Sequence, residues 1–302
     1  MAHTTAFAAV SDACREAVAA IASSIVQVHG RPRRPASGLV VAAERVVTTS
    51  HSVEWEDELK IRLGGGETLA AQVAGRDPGT DLVLLRVPGL TSPAARLGTS
   101  PAATGALALI VGRTWANNLK ARLTSLTHIA GPIRVGGGRS IDGVIGLDAG
   151  PYAGFSGSAV LLPDGAVAGL ATAGLLRGNG LAVPGALLSE TIDALETHGG
   201  VRRGFLGITT QPVRVPEAQR RSRAVEEGLL IVGIAAAAPA SAAGLFVGDI
   251  LVAFDGHEVA EPEQLLTHLS GDRIGTAARL DVIRGIEVVE VSVTIGERPA
   301  RG

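Results

Sequence analysis

The sequence predicts a mainly β chain in two parts, an all-β barrel or sandwich followed by a compact α+β module. Three observations carry this. From about residue 25 the chain runs as short apolar stretches punctuated by Gly, Pro and Asp, and its 302 residues hold 40 glycines and 15 prolines, a texture of many turns and few long helices. One helical stretch, "GALLSETIDALETHGG" (185–200), closes that region and ends on a glycine pair. Beyond it strands and short helices alternate on a different plan. Length alone favours two domains.

Taken in order, Phe7, Val10, Cys14, Val18, Ile21 and Ile25 fall at helical spacing, so residues 1–24 read as a helical segment with one apolar face. Cys14 lies on that face and reads as a small core residue. Strands are then expected in "SIVQV", "GLVVAAERVVTTS", "LKIRL", "TLAAQVAG", "TDLVLLRV", "ALALIVG", "GVIGLD", "SAVLL", "AVAGLATA" and "GLAVP". The even spacing of these runs argues against βαβ units. In the second part "GLLIVGI" is a strand and "APASAAGL" a short turn or helix. "GDILVAFDGHEV" is a hairpin turning at Asp255-Gly256, "EPEQLLTHLSG" a helix from Pro262 to Gly271, and "ARLDVIRGIEVVEVSVTI" a final hairpin.

Composition removes several classes of function. At 46% hydrophobic and 19% charged the chain is not disordered, and aromatic residues are only 3%, so its cores are built from Val, Leu, Ile and Ala. A net charge of −2 gives no general attraction to nucleic acid or to anionic membranes, and the basic clusters at 31–35 and 220–223 read as solvated loops. The single cysteine excludes an internal disulfide framework and a cysteine zinc site. The seven histidines show no paired metal spacing, and the glycine runs at 64–66 and 136–138 lack the Lys-Ser/Thr of a phosphate loop and read as hairpin loops. No cofactor or metal is expected. The N-terminus has no basic start and Asp12, Arg15 and Glu16 interrupt any apolar region, so it does not read as an export signal. No later run reaches the roughly 18 apolar residues of a membrane span. As written, the chain reads as soluble and cytoplasmic.

Three residues stand out by position. His51, in "RVVTTSHSVE", follows an apolar strand where the chain turns outward. Asp81 opens the apolar run "DLVLLRV", where a carboxylate is costly unless hydrogen-bonded. Ser156 sits in "GFSGS" between glycines. Each alone reads as a turn or strand-end residue. Together they run in the order His, Asp, Ser that chymotrypsin-like sites use, whereas other triad folds use other orders. A serine hydroxyl needs an imidazole to accept its proton, the imidazole needs a carboxylate to fix its tautomer, and glycines let backbone N–H groups approach an oxyanion.

On these residues the segment 37–184 resembles the HtrA/Deg family of trypsin-like serine proteases, with "TTSHSV", "DLVLL" and "GFSGSAV" at the family's three motifs. "IGLDAGPYAGFSGS" follows the family's approach to the serine, and "GLATAGLLRGNGLAVP" matches one wall of its specificity pocket, which implies Leu170, Ala171, Thr172 and Ala173 as wall residues. "PASAAGLFVGDILVAFDGHEV" resembles the family's PDZ domain. "GFLGI" resembles its carboxylate-binding loop, implying Phe205, Leu206, Gly207 and Ile208 for a peptide carboxylate, with the peptide added beside Ile208 against the helix carrying Leu265 and Leu269.

The resemblance implies a chymotrypsin-like double β-barrel protease domain (25–198) and a small α+β PDZ domain (204–297). An N-terminal segment (1–24), a linker (199–203) and a tail (298–302) complete the chain. It implies His51, Asp81 and Ser156 as catalytic residues, the N–H groups of Gly154 and Ser156 as an oxyanion hole, and unfolded or misfolded polypeptides and peptide C-termini as partners. Protein quality control, a stress response, homotrimers and an extracytoplasmic location are further implications, although the N-terminal segment offers only Phe7 as an aromatic anchor for a trimer. Four residues depart from the pattern: Phe155 for Asn, Ser158 for Gly, Ala159 for Pro and Ser50 for Ala. None removes a triad group, but Phe155 leaves open whether the oxyanion hole forms before activation. A non-proteolytic chaperone-like scaffold and a small-acyl esterase remain alternatives.

Overall fold

The computed structural model describes residues 6–55, 57–99, 103–130, 133–135, 139–141, 143–176, 180–199, 204–220, 225–269 and 273–297. The 200–203 stretch of the linker, the tail 298–302, the glycines 136–138 and the basic residues 221–223 lie outside these. The chain divides into two compact units, Met1–Val201 and Arg202–Gly302.

The first unit opens with helix α1 (Ala6–Ile21). A single 3-10 turn follows, and Ile25 begins the strand expected in "SIVQV" although helical spacing also reaches it, because the β-branched pair Ile25-Val26 favours the extended chain. Strands β1 (Ile25–His29), β2 (Ala36–Ala42), β3 (Arg45–Thr49), β4 (Lys60–Arg62), β5 (Thr68–Ala70), β6 (Gln72–Asp77) and β7 (Leu82–Arg86) form an antiparallel sheet in the order β5-β4-β1-β2-β3-β7-β6. Strands β8 (Leu107–Arg113) and β9 (Leu119–Ala130) follow, then a small hairpin of β10 (Ile133–Val135) and β11 (Arg139–Ile141), then β12 (Val144–Leu147), β13 (Ala159–Leu161), β14 (Val167–Thr172) and β15 (Leu181–Pro184). Six of these close into a barrel, β12-β15-β14-β13-β8-β9. Helix α2 (Gly185–His198) ends at Gly199, whose left-handed φ of 68° suits glycine as a helix stop.

Strand parity explains why so many runs are apolar on consecutive residues. Val26, Val40, Val46 and Val83 fill the interior of the first sheet, while their neighbours Ile25, Leu39, Val47 and Leu82 point the other way. Those neighbours meet Leu109, Val111, Leu161 and Leu170 of the barrel in a shared core. The alternate barrel residues Ile110, Val160 and Ala171 line its interior with Phe155. Each face of these strands is buried, so the sequence shows no polar alternation. Strand β9 escapes the sequence reading for the opposite reason: it is rich in Lys, Arg, Thr and His, and even Leu123 is 52% exposed.

Arg113, at the end of β8, is buried and donates to the carbonyls of Ile25 (2.7 Å), Asn117 (3.0 Å) and Ala22 (3.2 Å), tying the start of the first sheet to the barrel.

The second unit contains β16 (Gly204–Phe205), β17 (Ile208–Arg214), α3 (Glu217–Arg220), β18 (Glu227–Ile234), α4 (Pro239–Ala242), β19 (Ile250–Phe254), β20 (His257–Glu258), α5 (Pro262–His268), β21 (Ala277–Arg284), β22 (Glu287–Thr294) and β23 (Gly296–Glu297). Its main sheet runs β17-β18-β19-β21-β22, leaving β17 at an edge. The Asp255-Gly256 turn has φ of 47° and 83°, as a type I′ hairpin requires. Helix α5 begins with Pro262 behind a Glu261–Gln264 capping box. Leu265 and Leu269 of that helix turn into the core, while Leu266 is exposed. No helix among the described residues is long and apolar enough to cross a membrane.

Asp249 in this unit is buried and accepts from Arg284 at 2.9 and 2.8 Å and from the Phe246 N–H at 2.9 Å. Burial alone would raise its carboxyl, but the Arg284 guanidinium and the Phe246 N–H outweigh it and hold it below the ordinary 3.8. A carboxyl lowered by folding stabilises above its unfolded value, and that contribution is lost as pH falls through the folded value. Asp249→Asn should therefore cost about 1–2 kcal/mol at pH 7, the low end because Arg284 is partly solvated, and less as pH falls below about 4. Scanning calorimetry of the full chain at pH 7 and pH 3 checks this, and a gap that does not narrow would contradict the assignment.

Candidate active site

His51 lies in the 3-10 turn (Ser50–Ser52) that ends β3. The turn is pinned from below. The Ser50 N–H donates to the Asp81 carbonyl at 2.8 Å, and the Arg76 guanidinium reaches the carbonyls of Ser50 and Val53, each at 2.9 Å. Asp81 precedes β7 in the left-handed region, φ 59°, which few residues other than Gly, Asn and Asp adopt. Its carboxylate Oδ1 accepts the His51 N–H at 2.9 Å and Oδ2 accepts His51 Nδ1–H at 2.7 Å. Since an ionised carboxylate only accepts, Nδ1 carries the proton and the lone pair of Nε2 faces the Ser156 hydroxyl, 3.1 Å away.

Sequence reasoning missed the third partner of Asp81. The Thr172 hydroxyl accepts the Gly174 N–H at 2.9 Å and donates its own proton to Asp81 Oδ2. Gly174 is also sterically fixed: a Cβ there would stand 2.4 Å from Asp81 Oδ2 and 2.6 Å from His51 Nδ1. The only sequence signal was a glycine two residues after a strand-terminal threonine, which carries no meaning until the fold brings it against the carboxylate.

Ser156 stands between consecutive turns. The Phe155 N–H donates to the Tyr152 carbonyl at 2.9 Å and the Ser158 N–H to the Phe155 carbonyl at 3.0 Å. Gly154 and Gly157 take the third positions with φ of 80° and 82°, the type II geometry that requires glycine. A Cβ on Gly154 would strike the Arg113 carbonyl at 2.0 Å, and one on Gly157 the Ser37 carbonyl at 1.8 Å. The Gly154 carbonyl accepts the hydroxyls of Ser37 and Ser158, each at 2.7 Å, so Ser158 contributes a bond that glycine would lack. Phe155 is 1% exposed inside the barrel, edge-on to Tyr152 with ring centres 5.4 Å apart. Among the described residues the N–H groups of Gly154 and Ser156 donate to no protein acceptor.

An open cleft of about 350 Å³ lies over Ser156 and His51, lined also by Arg31, Arg34, Trp115, Tyr152, Phe155 and Ala173. Of the expected wall, Ala173 reaches this cleft. Leu170 points into the shared core, Ala171 into the barrel interior, and Thr172 to Asp81. The parity of β14 divides them. Burial pushes the Tyr152 phenol up to about 12, against the field of Arg122, so it stays neutral. In the basic stretch 31–35, Pro32, Arg33 and Arg34 are exposed as expected, but Arg31 is half-buried, Pro35 is buried, and Arg31 and Arg34 line the cleft. Among the described residues no group of three or more His, Cys, Asp or Glu is placed to hold a metal ion.

In the second unit Phe205 ends β16, Ile208 begins β17, and Leu206 and Gly207 form the turn between. Gly207 has φ 79°, and a Cβ there would meet Ala238 at 2.2 Å. The Leu206 and Gly207 carbonyls accept from Ala240 and Ala235 at 2.9 and 2.8 Å, while among the described residues their N–H groups have no protein acceptor.

Comparison with known proteins agrees with this layout. Residues 36–170 match the trypsin-like peptidase domain and residues 204–295 the PDZ domain. Proteins named probable periplasmic serine endoprotease DegP-like are similar to this chain. The one from Chlamydia muridarum is 31% identical over 276 residues, covering 87% of this chain and 54% of its own length. The one from Brucella suis is 30% identical over 283 residues, covering 90% and 54%. The chain thus spans about half the length of the curated relatives it matches. Among solved structures, the HtrA-type protease AlgW with a tripeptide superposes with a TM-score of 0.77 at 25% identity, over 95% of this chain and 98% of that one. The serine endoprotease from Yersinia pestis gives 0.77 at 22% identity over 94% and 98%, a likeness of fold.

The Thr172 hydroxyl is a positioning group for Asp81, so Thr172→Val should slow covalent labelling of Ser156 by a fluorophosphonate about 10-fold, the worth of one hydrogen bond to a charged group. Thr172→Ser should keep most of the rate. Equal rates for the wild type and the valine variant would remove Thr172 from the site.

Proposed function

We propose, from the premise that this chain belongs to the HtrA/Deg family of trypsin-like serine proteases with a C-terminal PDZ domain, that it is a serine endopeptidase acting on unfolded or exposed polypeptides. The observation that carries the proposal is the unbroken hydrogen-bond chain from Asp81 through His51 to Ser156, beside the unpartnered N–H groups of Gly154 and Ser156.

In this reading Ser156 Oγ attacks the scissile carbonyl while His51 Nε2 takes its proton. Asp81 stabilises the imidazolium and keeps the ring oriented. The carbonyl oxygen, now an anion, is held by the N–H groups of Gly154 and Ser156, each such donor typically worth about 3–4 kcal/mol. Collapse expels the amine, which takes the proton from His51, and leaves an acyl ester on Ser156. Water, deprotonated by His51, then attacks the ester and releases the acid. The apolar wall and the absence of any carboxylate among the cleft-lining residues support small aliphatic side chains before the cut, rather than Arg or Lys.

The second unit would recruit peptide C-termini. Unpartnered N–H groups at Leu206 and Gly207 fit a carboxylate, and the edge strand β17 accepts an added strand beside Ile208. Leu265 and Leu269, expected at this groove, lie in the core, which leaves Leu266 as the exposed leucine of α5. The names of the relatives favour the extracytoplasmic location over the cytoplasmic one. A homotrimer rests on the family likeness and on Phe7, 83% exposed on α1.

Fluorophosphonate labelling tests the reading. Ser156 should be labelled in the wild type without added peptide, Ser156→Ala should not be labelled, and both Ser156→Ala and His51→Ala should lose turnover of a casein-type substrate by a factor on the order of 10⁶. Labelling that needs a peptide with an apolar C-terminus would assign activation to the PDZ domain, and no labelling under either condition would favour a non-proteolytic scaffold.

A further inference from the structure

The cleft beside Ser156 has a chemically mixed lining. Trp115, Tyr152, Ala153, Phe155 and Ala173 contribute apolar and aromatic surface, and the loop between β1 and β2 adds the guanidinium-bearing Arg31 and Arg34. That loop is held in place. The Gly30 carbonyl accepts the N–H groups of Glu54 (2.7 Å) and Trp55 (2.9 Å), and Arg31 Nε donates to the Arg34 carbonyl at 2.8 Å, closing the loop on itself. Three residues after Arg34, the Ser37 N–H donates to the carbonyl of Ser156 itself at 3.0 Å. The loop backbone that carries both arginines therefore stands at a fixed register from the nucleophile.

Neither arginine is neutralised there. Arg31 is half-buried and Arg34 exposed, and among the described residues neither forms an ion pair. Burial lowers the Arg31 guanidinium from its ordinary value and the like charge of Arg34 adds to this, while Glu54 and Asp81 oppose it through their fields alone, and no carboxylate lines the cleft. A pair of forked cations on one loop is built to accept an anion, and a carboxylate on an extended chain is the anion a polypeptide offers.

The side of the cut follows from the chemistry. Acyl-side residues are held by the oxyanion donors and the apolar surface. The leaving amine must lie over His51, which returns its proton; His51 sits in the turn that ends β3, in the sheet whose β1 and β2 are joined by the arginine loop, and the two segments are bridged between Gly30 and Val53. An extended chain advances about 3.3 Å per residue, so the first two or three residues after the cut run past the loop.

We propose that Arg31 and Arg34 form a subsite that selects an acidic side chain on the leaving-group side of the scissile bond. This rests on the endopeptidase reading above and specifies its substrates. The test uses fluorogenic peptides sharing one small aliphatic residue before the cut, with Asp, Glu, Asn, Gln or Lys placed at each of the first three positions after it. At one of those positions the wild type should cleave the acidic peptide with about 10-fold higher kcat/KM than its amide isostere, and added salt should erode the ratio. In Arg31→Ala/Arg34→Ala the ratio should fall to about 1, and in Arg31→Glu/Arg34→Glu it should invert in favour of Lys. Because the readout is a ratio within each variant, a uniform loss from misfolding does not move it. Equal cleavage of acidic and amide peptides by the wild type, or an unchanged ratio in the alanine variant, overturns the subsite. If no peptide is cleaved, the endopeptidase reading fails instead. The subsite is then read from protection of Ser156 against fluorophosphonate, where equal protection by acidic and amide peptides overturns it.

Discussion

The site depends on one buried carboxylate taking donors from both halves of the first unit. Asp81 is 6% exposed, and desolvating a carboxylate so far is tolerable only when its oxygens are filled. The His51 N–H and ring come from the sheet side, and the Thr172 hydroxyl comes from the barrel. Asp81 is thus satisfied only when sheet and barrel are docked. Its left-handed backbone, a strain of about 1 kcal/mol, lets its carbonyl hold Ser50 while its side chain reaches the histidine on the next residue. The bare Cα of Gly174 then lets the barrel chain pass close enough for Thr172 to complete the set.

A different economy governs the nucleophile turn. Trypsin-like sites commonly order the residues around the serine by pairing an acidic side chain before it with a buried amino terminus, and here that position is Phe155. The barrel interior it enters mixes Ala108, Ala168, Ala171 and Ala182 with Ile110, Leu126, Ile145 and Leu147, and Phe155 is the one aromatic ring among its buried residues. Burying a Phe contributes about 2–3 kcal/mol to holding the turn shut, with no ion pair to assemble. Serine hydroxyls from Ser37 and Ser158 fix the Gly154 carbonyl, so the turn is tied to both the sheet and the barrel. This arrangement favours donors already aimed at the oxyanion position before any peptide arrives.

What was legible in the sequence was whatever a local pattern encodes. Short apolar runs between turn residues marked most strands, the glycine-flanked serine marked its turn, and the order of His51, Asp81 and Ser156 narrowed the geometry. Strand β9 hid because its face is solvated, and Ile25 fitted two patterns at once because helical spacing continues by chance into the strand run "SIVQV". Partners set by tertiary approach were invisible: Thr172 on Asp81, Ser37 on Gly154, Arg76 on the histidine turn. Of the four residues expected in the pocket wall, Ala173 reaches the cleft, while Leu170, Ala171 and Thr172 belong to β14 and point alternately to opposite faces. Arg31 and Arg34 looked like solvated charge because nothing in "RPRRP" tells which way a loop folds.

In the proposed function both units would use the same backbone device for anions, and the difference between them would explain why one does chemistry and the other only binds. Gly154 at φ 80° and Gly207 at φ 79° each shape a turn that leaves N–H groups without an internal acceptor. Such groups, if permanently unpaired and buried, would cost about 1–3 kcal/mol, so the turn is complementary to an anion it does not itself contain. In the second unit the fitting anion is a carboxylate that arrives already charged, and the free edge of β17 supplies the remaining backbone pairing. In the first unit the fitting anion does not exist until Ser156 attacks. A proton acceptor 3.1 Å from the hydroxyl makes that attack possible, and the donors then stabilise what the attack creates more than what preceded it. Placing a histidine next to an anion-binding turn is therefore what converts recognition into catalysis.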